Sequence, residues 1–462
     1  MRWAKTWESP LGTYLQSFEA LIGDKRTAET FQEIIKGIIG AGSLVCQRIA
    51  RHSSVLAGIK YGSQRVLRFV KGESTRRSEL DAEHLTATLR QRGLDHLLQG
   101  TEEEVWLLPD ESDLRKPHAH EMAALMRVRD LDGKLVPGYR TINVLGVTPG
   151  RRGILYHRLY SSVEEAFSSQ SLERQRALTT VSAEVKAKAP AVTATWIMDR
   201  GFDDVAVWRT VWEAKEHLVC RIQHTERLVQ WQSAAGVWQE GDIAEALGHL
   251  RPMAKTRSQM KVRIGSQRRA RMQTVRVAIS ACPLQLTYDR NVRREGELQE
   301  VQQELWLVKV ALSNTRLEPW LLITDWPVIS KEMALQLFRM YRQRWAVEDA
   351  FKYLKSCLGM ETVQVLDLQA IRVLVALAWV AAGFLYELGV TLEWPEIQFL
   401  ARLGGWEERP ERKPGKIVIT RGLAQLLTHL VTLAILRDHV AEHGALPPGI
   451  VALMRSFGAI DL

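Results

Sequence analysis

The order of apolar and helix-compatible runs between residues 105 and 222 constrains the fold more than any other feature of the sequence. Three apolar runs come first, and Pro149-Gly150 between the last two predicts a hairpin turn. Two helix-compatible runs follow, and each leads into a further apolar run. In chain order the strands are 105–109, 141–147, 154–160, 194–198 and 218–222, and the helices are 163–187 and 203–215. The order βββαβαβ predicts a mixed α/β sheet with helical crossovers.

The remaining chain predicts helices at both ends and a second β region. Residues 225–324 alternate apolar and polar side chains, which predicts a mainly β insertion. One continuous helix is predicted over 331–357. Short helices are expected at 11–21, 28–36 and 43–51, with a break at Gly37 to Gly42 and Ser43 as an N-cap. Further helices are expected within 367–402 and 420–437, on either side of a linker at 403–415. The pattern divides the chain into a helical region at 1–75, the first part of an α/β domain at 76–224, the β insertion at 225–324, the second part of the α/β domain at 325–370 and a helical region at 371–462.

Positive charge is concentrated in two places. The chain has 62 Lys and Arg against 53 Asp and Glu, a net charge of +9. Residues 1–77 hold 13 basic against 6 acidic residues, and 251–276 holds nine basic residues and no acid. Basic regions on an otherwise acidic chain favour a polyanion ligand, because each neutralised phosphate releases counterions. A solvated charged face is the alternative.

The N-terminal helices suggest a helix-turn-helix-like unit. On the helix over 43–51, Gln47, Arg48 and Arg51 are predicted to be exposed, where Arg48 and Arg51 can bind DNA. A plain helical hairpin explains the same pattern.

Cysteine spacing and hydropathy bear on the compartment. The four cysteines are too far apart for a zinc half-site or a disulfide framework, which fits a reducing, cytoplasmic location. The most apolar stretch, 373–386, is 14 residues long and bounded by charges, so no membrane helix and no membrane partner are predicted.

Three acidic residues stand at special places in this pattern. Asp110 and Asp199 each follow a predicted strand, and Glu348 lies on the helix after the β insertion. Residues at strand ends converge at one edge of an α/β sheet. Carboxylates are ligands that Mg²⁺ and Mn²⁺ prefer, and two such ions can promote phosphoryl transfer on nucleic acid. A single acid at a strand end is more often a cap or turn residue.

The surroundings of Glu348 strengthen this interpretation. Tyr341, Arg344, Glu348 and Lys355 are spaced by 3, 4 and 7 residues and would share one face of a continuous helix. That face would carry a carboxylate flanked by phosphate-binding groups. An amphipathic helix with an i,i+4 ion pair is the simpler explanation.

The spacing Tyr-x2-Arg-x3-Glu-x6-Lys resembles the YREK motif of the IS4-type family of bacterial insertion-sequence transposases, which are DDE enzymes. Residues 110–117 (DESDLRKP) and 199–203 (DRGFD) resemble the family's first and second aspartate segments. The resemblance runs from about residue 105 to 360. It implies that 76–224 and 325–370 form an RNase H-like catalytic domain interrupted by the β insertion 225–324. It also implies a helical DNA-binding domain at 1–75 and a helical dimerisation region at 371–462.

Carried over residue by residue, the resemblance implies that Asp110, Asp199 and Glu348 ligate two Mg²⁺ ions, for which Mn²⁺ can substitute. Tyr341, Arg344 and Lys355 would bind DNA phosphates. Trp320 stands where the family has a tryptophan that stacks on a flipped base; a core tryptophan is the alternative. Within 110–113, Asp110 is preferred as the first aspartate because it directly follows the apolar run, with Asp113 then a turn residue.

The function implied is cut-and-paste DNA transposition: a 3′ nick at inverted-repeat ends, hairpin formation and opening, and joining to target DNA. The partners implied are the terminal inverted repeats, target DNA and a second copy of the chain. A bacterial, nucleoid-associated location follows from these partners. Two alternatives remain: an RNase H-like metal-dependent nuclease, and an inactive DNA-binding descendant of a transposase.

Overall fold

The protein was analysed as a computed structural model. It describes residues 9–52, 59–72, 80–99, 103–130, 132–233, 235–262, 271–288, 300–313, 315, 317–407 and 413–456. The α-helices are α1 (Pro10–Leu15), α2 (Lys25–Ala41), α3 (Cys46–Arg51), α4 (Ile59–Val70), α5 (Ala82–Leu97), α6 (Gln170–Lys188), α7 (Val205–Glu213), α8 (Ile243–Ala246), α9 (Lys331–Arg342), α10 (Trp345–Cys357), α11 (Leu368–Thr391), α12 (Trp394–Leu403), α13 (Lys416–His443) and α14 (Pro448–Ser456).

The strands form one mixed sheet. They are β1 (Glu104–Arg115), β2 (Met126–Arg129), β3 (Leu135–Thr148), β4 (Arg151–Tyr160), β5 (Thr193–Met198), β6 (His217–Arg221), β7 (Leu228–Gln232), β8 (Trp238–Asp242), β9 (Arg251–Val262), β10 (Arg271–Tyr288), β11 (Glu300–Ser313) and β12 (Trp320–Thr324). Their order is β2-β3-β1-β5-β6-β12-β11-β10-β7-β8, with β4 paired to β3 and β9 to β10. The predicted mixed α/β class is therefore confirmed, and β2 is an additional strand.

The chain divides into two compact units. Unit 1 comprises residues 1–89, 114–139 and 351–462, and unit 2 comprises 90–113 and 140–350. In each unit, segments that are far apart in the sequence pack together, so neither is one continuous stretch of chain.

The centre of unit 2 is a parallel arrangement of three strands. β1 pairs with β5 from Glu104↔Thr193 to Leu107↔Trp196, and β5 pairs with β6 in the same direction. The helices α6 and α7 provide the crossovers, as the sequence predicts. Trp196 and Trp208 are fully buried and anchor the core on which these helices pack.

The β insertion is not a separate sheet. β12 pairs antiparallel with β6, and β11, β10 and β7 continue outward from it by antiparallel pairing. The mainly β character predicted for 225–324 is therefore observed, and these strands extend the sheet that carries the parallel centre. Leu284, Leu305 and Leu307 belong to the same buried cluster as Trp196.

Unit 1 is mostly helical and packs around α11. This helix has 24 residues, and 72% of its most apolar stretch is buried, so most of its apolar surface is covered by the protein. The Tyr14 hydroxyl donates to the Val380 carbonyl at 3.0 Å. By length and composition α11 and α13 are both long enough to cross a membrane, but α13 is only 11% buried, and the sequence analysis overlooked it.

The predicted N-terminal helices need correction. α2 runs through Gly37 and ends only at Gly42, whose φ of 53° is left-handed. A Cβ at Gly37 would lie 2.5 Å from the Ile49 carbonyl oxygen, so this glycine permits close packing of α3 and does not break the helix. Ser43 is not the N-cap, which is Val45; the Ser43 hydroxyl lies 3.0 Å from that of Thr362.

Candidate functional site

Two of the predicted acids meet because of strand register. The last paired residues of β1 and β5 are Leu107 and Trp196, and Asp110 and Asp199 each lie three residues further on. Parallel neighbours at equivalent positions carry their side chains on the same face of a sheet. The sequence predicts that the first strand ends at Asp110, but β1 continues to Arg115. The position beside Asp199 results from the end of β5 and not of β1.

The third acid reaches the same place from a helix. Glu348 lies in the first turn of α10, and its charge, like that of Asp199, contributes to raising the pKa of Asp110. Burial is the largest cause of this shift, which takes the pKa of Asp110 to about 7, and the nearby Arg344 opposes it. Three carboxyl groups from distant segments therefore share one electrostatic environment.

Arg344 joins two of the three carboxylates. Its guanidinium Nη1 lies 3.5 Å from Asp199 Oδ2, and its Nη2 donates to Glu348 Oε1. Arg344 is only 7% exposed. Burial by itself would lower its pKa, but the nearby carboxylates of Asp199 and Glu348 outweigh burial and raise it. The guanidinium thus stays charged and neutralises the acidic cluster from inside.

The helix carrying these residues is interrupted. The sequence predicts one helix over 331–357, but α9 ends at Arg342 and α10 begins at Trp345. Backbone hydrogen bonds at the junction connect residue i to i−3, including Arg344 to Tyr341 at 3.1 Å. Tyr341, Arg344 and Glu348 therefore do not share a face of one straight helix. Arg344 lies in the turn between the helices, from which it pairs with Asp199.

The carboxylates match a hard divalent cation in donor type. Asp199 Oδ1 is buried without a hydrogen-bond partner among the described residues, which leaves one ligand oxygen unused. Over the described ranges, however, no three His, Cys, Asp or Glu side chains lie together closely enough to hold a metal ion. The donor set fits Mg²⁺ or Mn²⁺, but Arg344 holds the position between Asp199 and Glu348 in the present arrangement.

Trp320 is buried beside the site. It is 4% exposed, and its ring centroid lies 5.8, 5.1 and 5.5 Å from those of Phe338, Tyr341 and Trp345. This position agrees with the core-tryptophan alternative, and stacking on a base stays a prediction that requires Trp320 to leave this cluster. Tyr341 is also buried, and its hydroxyl has no hydrogen-bond partner in the part of the chain that the structure describes.

The other acids of the first-aspartate segment have structural partners. Glu111 accepts hydrogen bonds from Tyr160 at 3.0 Å and Arg174 at 2.7 Å. Asp113 pairs with Arg140 at 3.3 Å and lies within β1, so it is not the turn residue that the sequence predicts. Asp110 is left as the acid of this segment that faces Asp199.

The sequence analysis missed the role of Asp203. It is 6% exposed, and its Oδ1 accepts from Arg227 at 2.7 Å. Its Oδ2 accepts from the backbone N–H groups of Gln223 and His224, at 2.7 and 2.9 Å. The Arg227 guanidinium also stacks over Trp208 at 4.6 Å. Asp203 therefore connects the segment after Asp199 to the start of the β insertion. The sequence feature that pointed to this residue was a second aspartate four positions after Asp199.

Three predicted DNA-binding residues belong to unit 1. Arg48 and Arg51 are exposed on α3, as the sequence predicts. Lys355 lies in the part of α10 assigned to unit 1, where its Nζ is 3.2 Å from Glu361 Oε1. The structure thus brings Asp110, Asp199, Glu348, Arg344, Tyr341 and Trp320 together in unit 2 and gives Lys355 a separate ion pair.

The basic stretch forms a β-ribbon. β9 and β10 pair antiparallel, with Arg257 directly opposite Arg276. Lys255, Arg257 and Arg276 are exposed, while Ala254 and Val275 are buried, so this face of the ribbon is basic. Residues 263–270 of the stretch lie outside the described residues.

Comparisons with known proteins add little to this picture. No family model and no curated protein matches the chain. Among solved structures, it is similar to a piggyBac transposase in a cryo-EM structure of its synaptic complex with hairpin DNA. The TM-score is 0.43 at 11% identity, covering 95% of this chain and 86% of that chain. A TM-score of this size is too low to establish a shared fold, so the likeness carries no argument about function.

Proposed function

We propose that the chain is a DNA transposase that cuts and joins DNA by phosphoryl transfer at Asp110, Asp199 and Glu348. The observation that carries the proposal is that the buried Arg344 pairs with both Asp199 and Glu348, which come from distant segments. The charges of these two carboxyl groups and of Arg344 also act on the pKa of Asp110, on the strand that pairs in parallel with β5. Asp199 and Glu348, one from the aspartate motif and one from the YREK motif, are 149 positions apart in the sequence and contact the same guanidinium.

Within this proposal, Asp110, Asp199 and Glu348 would hold two Mg²⁺ ions, with Mn²⁺ able to substitute. Bound divalent cations supply a Lewis acid that activates water or a 3′-hydroxyl and neutralises charge on the leaving oxygen. Arg344 would contribute a guanidinium suited to bidentate phosphate binding. Tyr341 would bind the same phosphate region, provided that its buried hydroxyl becomes accessible.

An RNase H-like catalytic core is part of the proposal. It is supported by the three strands β1, β3 and β4 followed by two helical crossovers to β5 and β6, all in one mixed sheet. Asp110 and Asp199 follow the last parallel pair of β1 and β5. This position agrees with the rule that active sites of such sheets lie at the carboxyl ends of parallel strands.

DNA binding would use basic surfaces of both units. Arg48 and Arg51 on α3 are exposed in unit 1, and the ribbon of β9 and β10 presents Arg257 and Arg276 in unit 2. Such contacts to phosphates give affinity that does not depend on base sequence. Lys355 would join them once released from Glu361. A cytoplasmic, nucleoid-associated location is proposed together with this substrate.

A homodimer is proposed because two DNA ends must be held for joining. Its structural support is α13, which carries no charged residue over 422–436 and exposes Leu430, Leu433 and Ile435 by 52, 54 and 59%. Exposed apolar residues at this density mark interaction surfaces. A second copy of the chain is the occupant that synapsis requires, and its contact would cover α13 in the predicted dimerisation region 371–462.

A metal-dependent nuclease is the second candidate, and the buried position of Trp320 favours it. Hydrolysis needs the three acids but no tryptophan free to stack on a flipped base. It would also leave no hairpin intermediate, which gives a direct way to separate the two functions.

The test is a denaturing-gel assay with Mg²⁺ and a labelled duplex taken from the DNA that flanks the gene. Wild type is compared with Glu348→Gln and with Asp349→Asn, a matched control because Asp349 is the exposed neighbouring acid on α10. A nick that converts to a hairpin, lost only in Glu348→Gln, supports transposition. Scattered cutting without a hairpin supports the nuclease, and binding without cleavage supports an inactive descendant.

A further inference from the structure

Arg344 is in an unusual position for a residue expected to bind DNA. Its side chain is 8% exposed and spans the gap between Asp199 and Glu348, which belong to different elements. A buried guanidinium needs negative partners, and buried carboxylates need positive ones. In this arrangement the cationic partner of the acidic cluster is supplied by the protein itself.

The cluster also retains features of an incompletely filled site. Asp199 uses Oδ2 toward Arg344, while its buried Oδ1 has no hydrogen-bond partner among the described residues. Glu348 remains 48% exposed, so the pair can be approached from solvent. The Arg344 guanidinium therefore contacts only some of the carboxylate oxygens and leaves Asp199 Oδ1 without a donor among the described residues.

We propose that Arg344 is an exchangeable counter-ion that occupies the place of a divalent cation until DNA binds. Its guanidinium moves from Asp199 and Glu348 to a phosphate of the bound strand, and this movement opens the carboxylates to the metal ion. The inference rests on the proposed function, which supplies both the DNA and the metal. It adds that DNA binding increases the affinity for the metal ion because it draws Arg344 away from the carboxylates.

Physical chemistry favours exchange over simultaneous occupancy. A guanidinium stays protonated under all ordinary conditions, so Arg344 can leave the site only by moving and not by losing its charge. A cation between the same carboxylates would repel it. A phosphate offers the guanidinium a bidentate partner equivalent to a carboxylate, which compensates for the bonds that it gives up.

The competing arrangement makes the opposite prediction. If Arg344 instead positions Asp199 and Glu348 for the metal and stays in place, then removing it will disorder the ligands and weaken metal binding. Exchange predicts that removing Arg344 strengthens metal binding in the absence of DNA. The sign of one change in affinity therefore separates the two.

The experiment measures Mn²⁺ affinity of the full chain from the EPR signal of free Mn²⁺, with and without a short duplex. For wild type, the duplex is expected to tighten Mn²⁺ binding by at least about tenfold after subtraction of Mn²⁺ bound by DNA alone. Arg344→Gln is expected to bind Mn²⁺ without DNA at least about tenfold more tightly than wild type, and the duplex should add little further. Glu348→Gln with duplex shows which part of the signal belongs to the site.

Arg342→Gln is the matched control. Its guanidinium lies two residues away and donates to the Gln259 carbonyl at 3.1 Å, so the variant loses the same charge without touching the acidic cluster. Its Mn²⁺ affinity should equal that of wild type. Unchanged or weaker Mn²⁺ binding by Arg344→Gln, with a thermal transition like that of wild type, would overturn the proposal.

The wild-type comparison protects the test against misfolding of the variant. Equal Mn²⁺ affinity with and without duplex would refute the exchange even if Arg344→Gln does not fold. Failure of the proposed function shows itself differently, as cleavage that survives Glu348→Gln or as absence of cleavage. A protein that exchanges Arg344 for Mn²⁺ but never forms a hairpin would keep this inference and lose the transposase.

Discussion

Asp110 on β1 and Asp199 directly after β5 stand at equivalent positions of two parallel-paired segments, each three residues beyond the paired residues Leu107 and Trp196. Asp110 and Asp199 are 89 positions apart in the sequence. The register brings their carboxyl groups near each other where the parallel pairing of β1 and β5 ends. Burial is the main cause of the pKa of about 7 for Asp110; Arg344 opposes the shift, and repulsion from Asp199 adds to it. A fold that holds such like charges together needs a cation there, whether from a side chain or from solution.

Replacing Asp199 by Ala should abolish DNA cleavage and leave DNA binding nearly unchanged. The substitution removes a proposed metal ligand but no residue of the basic surfaces. Cleavage on denaturing gels and binding by mobility shift give the two readouts. Asp113→Ala is the comparison, because Asp113 lies on the same strand as Asp110 but pairs with Arg140. Loss of binding in Asp199→Ala alone would count against the site.

The double variant Arg257→Gln/Arg276→Gln should weaken DNA binding. These exposed residues lie directly opposite each other on the ribbon, so both guanidinium groups are available to DNA phosphates on one face. If each binds one phosphate, the slope of log affinity against log salt concentration should fall by about 2. Lys215→Gln/Lys331→Gln removes the same charge at exposed sites elsewhere in unit 2 and should leave the slope unchanged.

Asp203→Asn should destabilise unit 2 strongly. The variant leaves Arg227, which is 6% exposed, without its carboxylate partner. Breaking a buried ion pair on one side costs about 3–5 kcal/mol, and equilibrium unfolding in urea measures the loss. Asp203→Asn/Arg227→Met, which removes both charges, should recover part of it. A cost below about 1 kcal/mol for the single variant would contradict the anchoring role.

Acid should destabilise the protein partly through His157. This buried ring bonds to Asn143 at 2.6 Å, and burial lowers its pKa from the ordinary 6.5 to about 3. Between these values the unfolded chain binds more protons than the folded one, so the free energy of unfolding falls as pH drops from 6.5 toward 3. At pH 4.5 the loss from this group is about 2.7 kcal/mol.

His157→Gln tests this with urea unfolding at pH 7 and pH 4.5. The variant should be less stable than wild type at pH 7, by about 1 kcal/mol, because the hydrogen bond is altered. It should lose less stability on acidification, since glutamine does not titrate. The exposed His224→Gln should follow wild type at both pH values. Parallel losses in wild type and His157→Gln would show that another group is responsible.

Trp320→Ala should lower stability and reduce nicking and hairpin formation together. Its ring fills a buried cluster with Phe338 and Tyr341, and loss of a buried tryptophan costs about 3–5 kcal/mol. The readouts are a thermal melt and the ratio of nicked to hairpin product. Trp345→Ala, at a position 38% exposed, should cost less. Nicking retained with hairpin formation lost would instead indicate base stacking.

Local pattern was sufficient for much of the fold. Turn residues at Pro149-Gly150 and the apolar runs predicted the β3–β4 hairpin and the crossovers because these depend on neighbouring residues. The single helix over 331–357 was wrong: no proline or glycine marks the break, and the turn at Arg344 goes with a contact to Asp199, 145 positions earlier. The periodicity of apolar residues along a helix cannot predict a contact between residues so far apart in the sequence.

The sequence by itself determined which residues are candidates, through the spacing of Asp110, Asp199, Glu348 and their basic neighbours, and it determined the mixed α/β class through alternation of apolar runs. Only the tertiary structure decided that Asp113 pairs with Arg140, that Trp320 is buried, and that Arg344 lies between two carboxylates. The physical reason is that strand register, burial and ion pairing between distant segments are set by packing of the whole core, whereas propensity and periodicity act over a few residues.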